Sequence, residues 1–234
     1  MISVIVPVHN QAAMLAQAVA KLDGALGALG TGYEIILCED GSTDGSRQVA
    51  EGLARSKNIV LMSSAQRLGR GRALGNALRS ARGSIVIYMD ADLATDLRHV
   101  PELIRQVESS ADIATGSRLL PASAVHGRSA LREFFSRGYN LLLRLLFRTS
   151  VHDHQCGFKA FRKSSVLPLL SSVKDGGWFW DSELLIRAQA RGLRVSEIPV
   201  EWADTEASTV RLQSDILRMG LSALRLRLDL WAGR

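Results

Sequence analysis

The chain has 234 residues, of which 47% are hydrophobic and 22% charged, which suits one large globular domain able to bury a core and excludes general disorder. Two cysteines, Cys38 and Cys156, cannot build a disulfide framework or a four-cysteine zinc site, and they point to a reducing compartment. The net charge is +6, and all but five of the 29 basic residues are Arg, the side chain suited to forked phosphate contacts, so phosphorylated ligands, an anionic membrane surface and nucleic acid are the classes in view.

Taken in chain order, Ile2–Val6 is a short β-branched apolar run that reads as a buried parallel strand. Pro7, His9, Asn10 and Gln11 end it, and no basic segment precedes it, so neither a signal peptide nor a transmembrane segment is expected. Met14, Leu15, Ala18, Val19, Leu22 and Leu26 recur at helical spacing. Strands follow at Tyr33–Cys38, Asn58–Met62, Ser84–Met89 and Asp112–Thr115, alternating with helices over Asp44–Arg55, Gly69–Ala81 and His99–Glu108. That alternation predicts a mostly parallel sheet with helices on both faces and a ligand site beyond the carboxyl ends of its strands.

The second half changes character. Ala130–Phe147 reads as a long helix, bulky and apolar on one side and studded on the other with Arg132, Arg137 and Arg144. Gly157–Arg162 reads as a strand or turn, Asp181–Ala190 as a helix ended by Gly192, Leu193–Val200 as a strand and Leu212–Trp231 as a final helix. Two amphipathic Arg-bearing helices suit a peripheral membrane contact, and they suit ordinary core packing as well. The arginines cluster with bulky apolar residues rather than with stacking aromatics, which argues against nucleic acid.

Polar clusters stand at the expected strand ends. Asp90-Ala91-Asp92 places two carboxylates where a buried strand emerges, a pattern able to hold Mg²⁺ or Mn²⁺ against a diphosphate and equally able to be two solvated aspartates. Glu39-Asp40-Gly41-Ser42 combines a tight turn with carboxylates that can accept ribose or base hydrogens, or serve only as a helix start with Ser42 or Asp44 as cap. Gly69-Arg70-Gly71 with Gly75 looks like a dinucleotide fingerprint, but its spacing is off by one and it follows the third strand rather than the first. His152 and His154 flank Asp153 in a pattern that reads as surface rather than metal, and Cys38 and Cys156 read as non-catalytic.

In order along residues 1–205, the segments Val6–Asn10, Glu39–Ser42, Gly69–Leu74, Asp90–Asp92, Gly116–Arg118, Gln155–Phe161 and Trp180–Leu185 resemble the family-2 glycosyltransferases of GT-A fold, and within them the polyprenyl- and dolichyl-phosphate mannosyl and glucosyl synthases. The resemblance implies a catalytic domain over 1–205, containing an amphipathic interfacial helix at 130–148, with a C-terminal amphipathic helix at 206–234. It implies an inverting transfer of a hexose from UDP-glucose or GDP-mannose to a lipid phosphate on the cytoplasmic face of a membrane. Pro7, His9, Gln11, Cys38 (through its backbone), Asp40, Asp90, Ala91, Asp92 and Arg118 would take the nucleotide sugar, and Asp90 and Asp92 the Mg²⁺ or Mn²⁺. His9, Gln11, Ala94 and Thr209 depart from the mannosyl pattern, and Ala94-Thr95 and Gln155–Phe158 look more like the glucosyl members.

A phosphate monoester is largely dianionic at pH 7 and needs positioning rather than a base. Arg118, Arg132 and Arg137 are the candidates for that task. Asp92, Arg118 and Asp181 would be the catalytic set, with Asp181 or Glu183 a general base only if the acceptor were a hydroxyl. A different sugar, glycan or lipid acceptor, or an inactive nucleotide-sugar-binding module, are the other readings.

Overall fold

The computed structural model describes residues 1–204 and 212–232, and Thr209 lies outside them. A seven-stranded sheet runs in the order β3 (Ile59–Ser64), β2 (Tyr33–Asp40), β1 (Ile2–Val8), β4 (Ile85–Met89), β7 (Phe158–Arg162), β5 (Ile113–Ser117), β8 (Val195–Pro199). β7 pairs antiparallel with both β4 and β5, and the other pairs within this sheet are parallel. The mostly parallel, two-sided sheet expected from the alternation is therefore present, and Gly157–Arg162 resolves as a central strand. A second, two-stranded sheet pairs β6 (Ala124–His126) with β9 (Glu201–Ala203), two strands without a sequence signal.

Strand residues divide between two cores by the period-two alternation of side chains. Val4, Val6, Ile35, Leu37 and Ile87 pack against α1 (Ala12–Gly27) and α4 (Val100–Ser109). Ile5, Ile36, Cys38, Val86 and Tyr88 pack against α3 (Arg70–Ser80) and α7 (Trp180–Ala190) on the other face. Each such side chain contributes about 1.5–3 kcal/mol of burial. The helix after β2 is shorter than its sequence pattern: α2 covers Ser46–Leu53 because Asp44 accepts from the Ser46 N–H at 3.0 Å and Gly45 turns the chain with φ 92°.

Between the two sheets and the end of the chain lie α5 (Ala130–Phe147), the single turn α6 (Lys163–Val166) and α8 (Leu212–Trp231). Ser129 starts α5 by accepting from the Arg132 N–H. α5, α7 and α8 meet around Tyr139, Leu143, Phe179, Ile186, Met219, Ala223 and Leu226. The outward sides of α5 and α8 stay apolar: Leu131, Phe134, Leu141, Leu145, Leu224 and Leu228 are all exposed. Among the described residues, no helix is long and apolar enough to cross a membrane.

Candidate active site

The carboxyl ends of β1, β2 and β4 are stitched together by short polar contacts. The His9 Nδ1–H donates to the Asp40 carbonyl at 2.8 Å, which orients the ring at the end of β1. The Asp40 carboxylate accepts from the backbone N–H groups of Leu68 at 2.6 Å and Gly69 at 3.0 Å. Asp40 therefore holds the loop before α3 against the end of β2. Gly69 has φ 100°, and a Cβ there would lie 2.4 Å from the Gly176 carbonyl oxygen, so this crossing admits only glycine.

That loop delivers Arg70, which the sequence reading passed over. Its guanidinium donates to Asp90 Oδ1 at 2.6 Å and to Asp181 Oδ2 at 2.7 Å, and lies 5.2 Å from the ring centroids of both Tyr88 and Trp178. Asp181 also accepts from the Tyr88 hydroxyl at 2.6 Å and faces Lys159 Nζ at 3.1 Å. Burial pushes the Asp181 pKa up, but Lys159 and Arg70 more than offset it, so the carboxyl is held below its usual value. An acid so buried and so paired is a structural anion and a poor proton acceptor. Glu183, the other candidate base, accepts from the Lys174 and Asp175 N–H groups and from Arg187 and does not line the site, because its carboxylate caps the loop before α7.

Asp90 and Asp92 stand on the turn after β4. Leu93 takes a left-handed φ of 50°, and the Ala94 N–H donates to Asp92 Oδ1 at 3.1 Å. Gly157, which opens β7, lies so close that a Cβ there would sit 1.9 Å from Asp90 Oδ2. The Asp90 N–H donates to the Gly157 carbonyl at 3.2 Å. The antiparallel strand thus backs the acidic turn with bare main chain.

Three arginines face this acidic wall. Arg118, at the end of β5, makes a forked pair with Asp153, Nε at 2.7 Å and Nη2 at 2.9 Å. Asp153 is fully buried; burial opposes its ionisation, and Arg118 overcomes this and drives its pKa far below the carboxylate range. Arg128 pairs with Glu133 at 2.8 Å, and Arg132 with Asp204 at 2.9 Å. Trp202 lies beneath two of them, its ring centroid 5.6 Å from the Arg118 guanidinium carbon and 5.9 Å from that of Arg128.

The two walls enclose a cavity of about 290 Å³ lined by Pro7, His9, Gln11, Asp40, Asp90, Ala91, Asp92, Arg118, Arg132 and Asp181. Arg67, Arg70, Arg128, Trp178 and Trp202 also line it; the sequence offers Arg70 only as part of the Gly69–Leu74 segment and gives Arg67, Arg128 and Trp202 no role. Cys38 and Arg137 do not reach it. Cys38 points into the core, where burial raises its thiol to about 12. Arg137 is exposed and bonds Glu133 at 2.6 Å, so it steadies the partner of Arg128 instead. The Asp153-His154 pair, read as surface, is fully buried, with His154 bonded to Asn140 Oδ1 at 2.9 Å.

Residues 3–169 match the profile of the family described as "Glycosyl transferase family 2". The chain belongs to that family. Glycosyltransferase AglD of Haloferax volcanii is 43% identical to this family-2 chain over 230 residues, covering 96% of the chain and 36% of AglD. A dolichyl-phosphate beta-glucosyltransferase of Saccharomyces cerevisiae is 28% identical over 250 residues, covering 97% of the chain and 74% of the yeast protein. The chain thus spans about a third of the length of its archaeal relative. Glucosyl-3-phosphoglycerate synthase of Mycobacterium tuberculosis, solved with Mn²⁺, UDP-glucose and phosphoglyceric acid, superposes with TM-score 0.70 at 19% identity over 97% of this chain and 79% of the synthase. At that identity the likeness concerns the fold, which is GT-A.

The site suits a divalent cation of the Mg²⁺ or Mn²⁺ type. Its donors are carboxylate oxygens, and both Asp90 and Asp92 line the cavity. Asp90 gives one oxygen to Arg70, and Asp92 Oδ1 accepts from the Ala94 N–H. Among the described residues, no group of three or more His, Cys, Asp or Glu side chains could hold a metal. Such ions are commonly held by one or two carboxylates, with substrate phosphates and water completing the shell.

Proposed function

We propose that this family-2 glycosyltransferase moves a hexose from a nucleotide sugar to a polyprenyl or dolichyl phosphate, with inversion at the anomeric carbon. Glucose from UDP-glucose is the first choice of donor and mannose from GDP-mannose the second. The observation that carries this reading is the two-walled cavity, with carboxylates at the strand ends on one side and Arg118, Arg128 and Arg132 on the other. The first wall suits a metal-bound diphosphate, and the second suits a phosphate dianion. The printed activity of the yeast relative agrees with a glucosyl donor and a dolichyl phosphate acceptor.

The chemistry asks little of a base. An oxygen of the acceptor phosphate attacks the anomeric carbon, the bond to the nucleoside diphosphate breaks, and no proton need be removed. Asp181, ionised and locked to Arg70 and Lys159, fits such a site. Arg118, Arg128 and Arg132 hold the nucleophile, and the His9–Asp40 pair shapes the nucleotide end. Asp92, with Asp90, would hold Mg²⁺ or Mn²⁺, which when bound neutralises charge on the departing diphosphate. The exposed apolar sides of α5 and α8 suit peripheral contact with the cytoplasmic face of a membrane, where such an acceptor resides.

The test is transfer of label from UDP-glucose and from GDP-mannose, offered separately with Mg²⁺ or Mn²⁺, to a short polyprenyl phosphate. Label entering the organic phase from one donor, and lost in Asp92→Ala, supports the reading and names the sugar. Metal-dependent nucleotide binding without lipid product would redirect it to another acceptor, and no nucleotide binding would favour an inactive module.

A further inference from the structure

The arginine wall contains one aromatic side chain that rests on the core beneath the sheet and also faces the cavity. Trp202 is half-buried on the three-residue strand β9, lines the cavity, and carries the guanidinium groups of both Arg118 and Arg128 on its ring. Those arginines are not spent on their carboxylates. Asp153 takes the Nε and Nη2 donors of Arg118 side by side, and Glu133 takes one donor of Arg128, out of five N–H groups on each guanidinium. Two cations this close repel each other, and burial followed by the nearby Arg118 depresses the Arg128 pKa. A doubly charged anion relieves that repulsion, and an aromatic face fixes both cations while leaving their edges available.

The backbone of Trp202 is anchored to the opposite wall. Residue 202 bridges Thr95, the Ala203 N–H donates to the Ala94 carbonyl at 2.9 Å, and the Asp96 N–H donates to the Glu201 carbonyl at 3.0 Å. Ala94 in turn caps Asp92. One strand therefore ties the acidic turn to the two arginines and sets the distance between them.

We propose that Trp202 is a positioning residue that holds Arg118 and Arg128 together as a two-guanidinium clamp for a phosphate monoester dianion, with Arg128 as a second acceptor-binding cation. This rests on the acceptor class proposed above, but binding can be read without transfer.

The experiment is calorimetric titration of the full chain with farnesyl phosphate, with methyl phosphate and with UDP, for the unaltered protein and for Trp202→Leu, Trp202→Phe and Arg128→Gln. Trp202→Leu and Arg128→Gln are expected to weaken both phosphate monoesters about tenfold while UDP affinity stays within about twofold, and Trp202→Phe to recover most of the loss. Much tighter binding of farnesyl phosphate than of methyl phosphate would support the clamp with a lipid source, and equal binding would support it with a soluble ester. Unchanged monoester affinity in Trp202→Leu overturns the proposal, as does a parallel loss of UDP binding, which marks a merely structural tryptophan. Absence of sugar transfer with the clamp intact would defeat the lipid-transfer reading and leave this one standing.

Discussion

The two walls of the cavity are built by different means. The acidic wall is local: Asp40, Asp90 and Asp92 follow directly on buried strands that lie next to one another or one strand apart in the sheet. The arginine wall is assembled from the end of β5, the loop after β6, the first turn of α5 and the strand β9, and each cation arrives with its own carboxylate. The first wall is placed by the sheet itself, and the second must be held by ion pairs and by an indole ring. Perturbations of the arginine wall should therefore cost stability as well as binding, whereas a change at Asp92, on the turn beyond β4, should mainly cost turnover.

The largest effect expected is at Asp153. Asp153→Ala leaves the Arg118 charge buried without its partner and should cost about 3–5 kcal/mol of unfolding free energy, read by urea denaturation. Asp204→Ala, which frees the more exposed Arg132, should cost under about 1 kcal/mol. Equal losses would break the contrast between a buried pair and a partly exposed one.

At the acidic wall, Asp92→Asn should lower kcat/KM about 100-fold, near 2.7 kcal/mol in the barrier, with an unaltered melting temperature. A drop of less than about threefold would remove Asp92 from the chemistry.

His154 provides a pH test of the arginine side. Burial lowers its pKa to about 3, against about 6.5 in an unfolded chain. Between those values the unfolded state binds the proton and the folded state does not, so stability rises with pH across the window and is lost on acidification. Going from pH 7.5 to pH 5 should cost about 2 kcal/mol from this group. His99, also depressed, first by burial and then by Arg98, adds with the same sign. Chemical denaturation at the two pH values should show the slope, and His154→Gln should flatten it without abolishing it.

The smallest effect concerns the outer faces of α5 and α8. Phe134→Ser, at a side chain 70% exposed, should weaken partition onto anionic vesicles by about 1 kcal/mol and leave folding unchanged. Co-sedimentation measures it, and wild-type binding by this variant would remove the helix from the contact.

Legibility in the sequence follows the same division. β1 to β5 were readable because continuous β-branched runs ending in polar clusters have one economical arrangement, a two-sided parallel sheet. The acidic wall came with them. Arg70 sat in plain view between two glycines, but its meaning depends on Asp181, 111 residues away. Trp202 and β9 carry no periodicity, since a three-residue strand has none to show. Asp153 and His154 looked like surface because they are polar; Arg118 and Asn140 satisfy them inside, which no local pattern records. The Cys38 thiol lies in the core, as its apolar strand implies, whereas Arg137 shares a helix with Arg132 but stands on a face turned away from the cavity, which the helical spacing alone does not reveal.

The reversed strand β7 bears on how the chain is made. It lies between β4 and β5, although those two are joined directly through α4 and β7 is encoded well after both. During translation, a ribosome that has not yet released Phe158–Arg162 holds a chain in which the outer edge of β4 has no hydrogen-bonding partner. An open, apolar strand edge is a template for pairing with another chain. The interval between synthesis of Met89 and Arg162 is thus the period in which this protein most needs a chaperone or an empty neighbourhood, and slowing translation within it should lower the soluble yield.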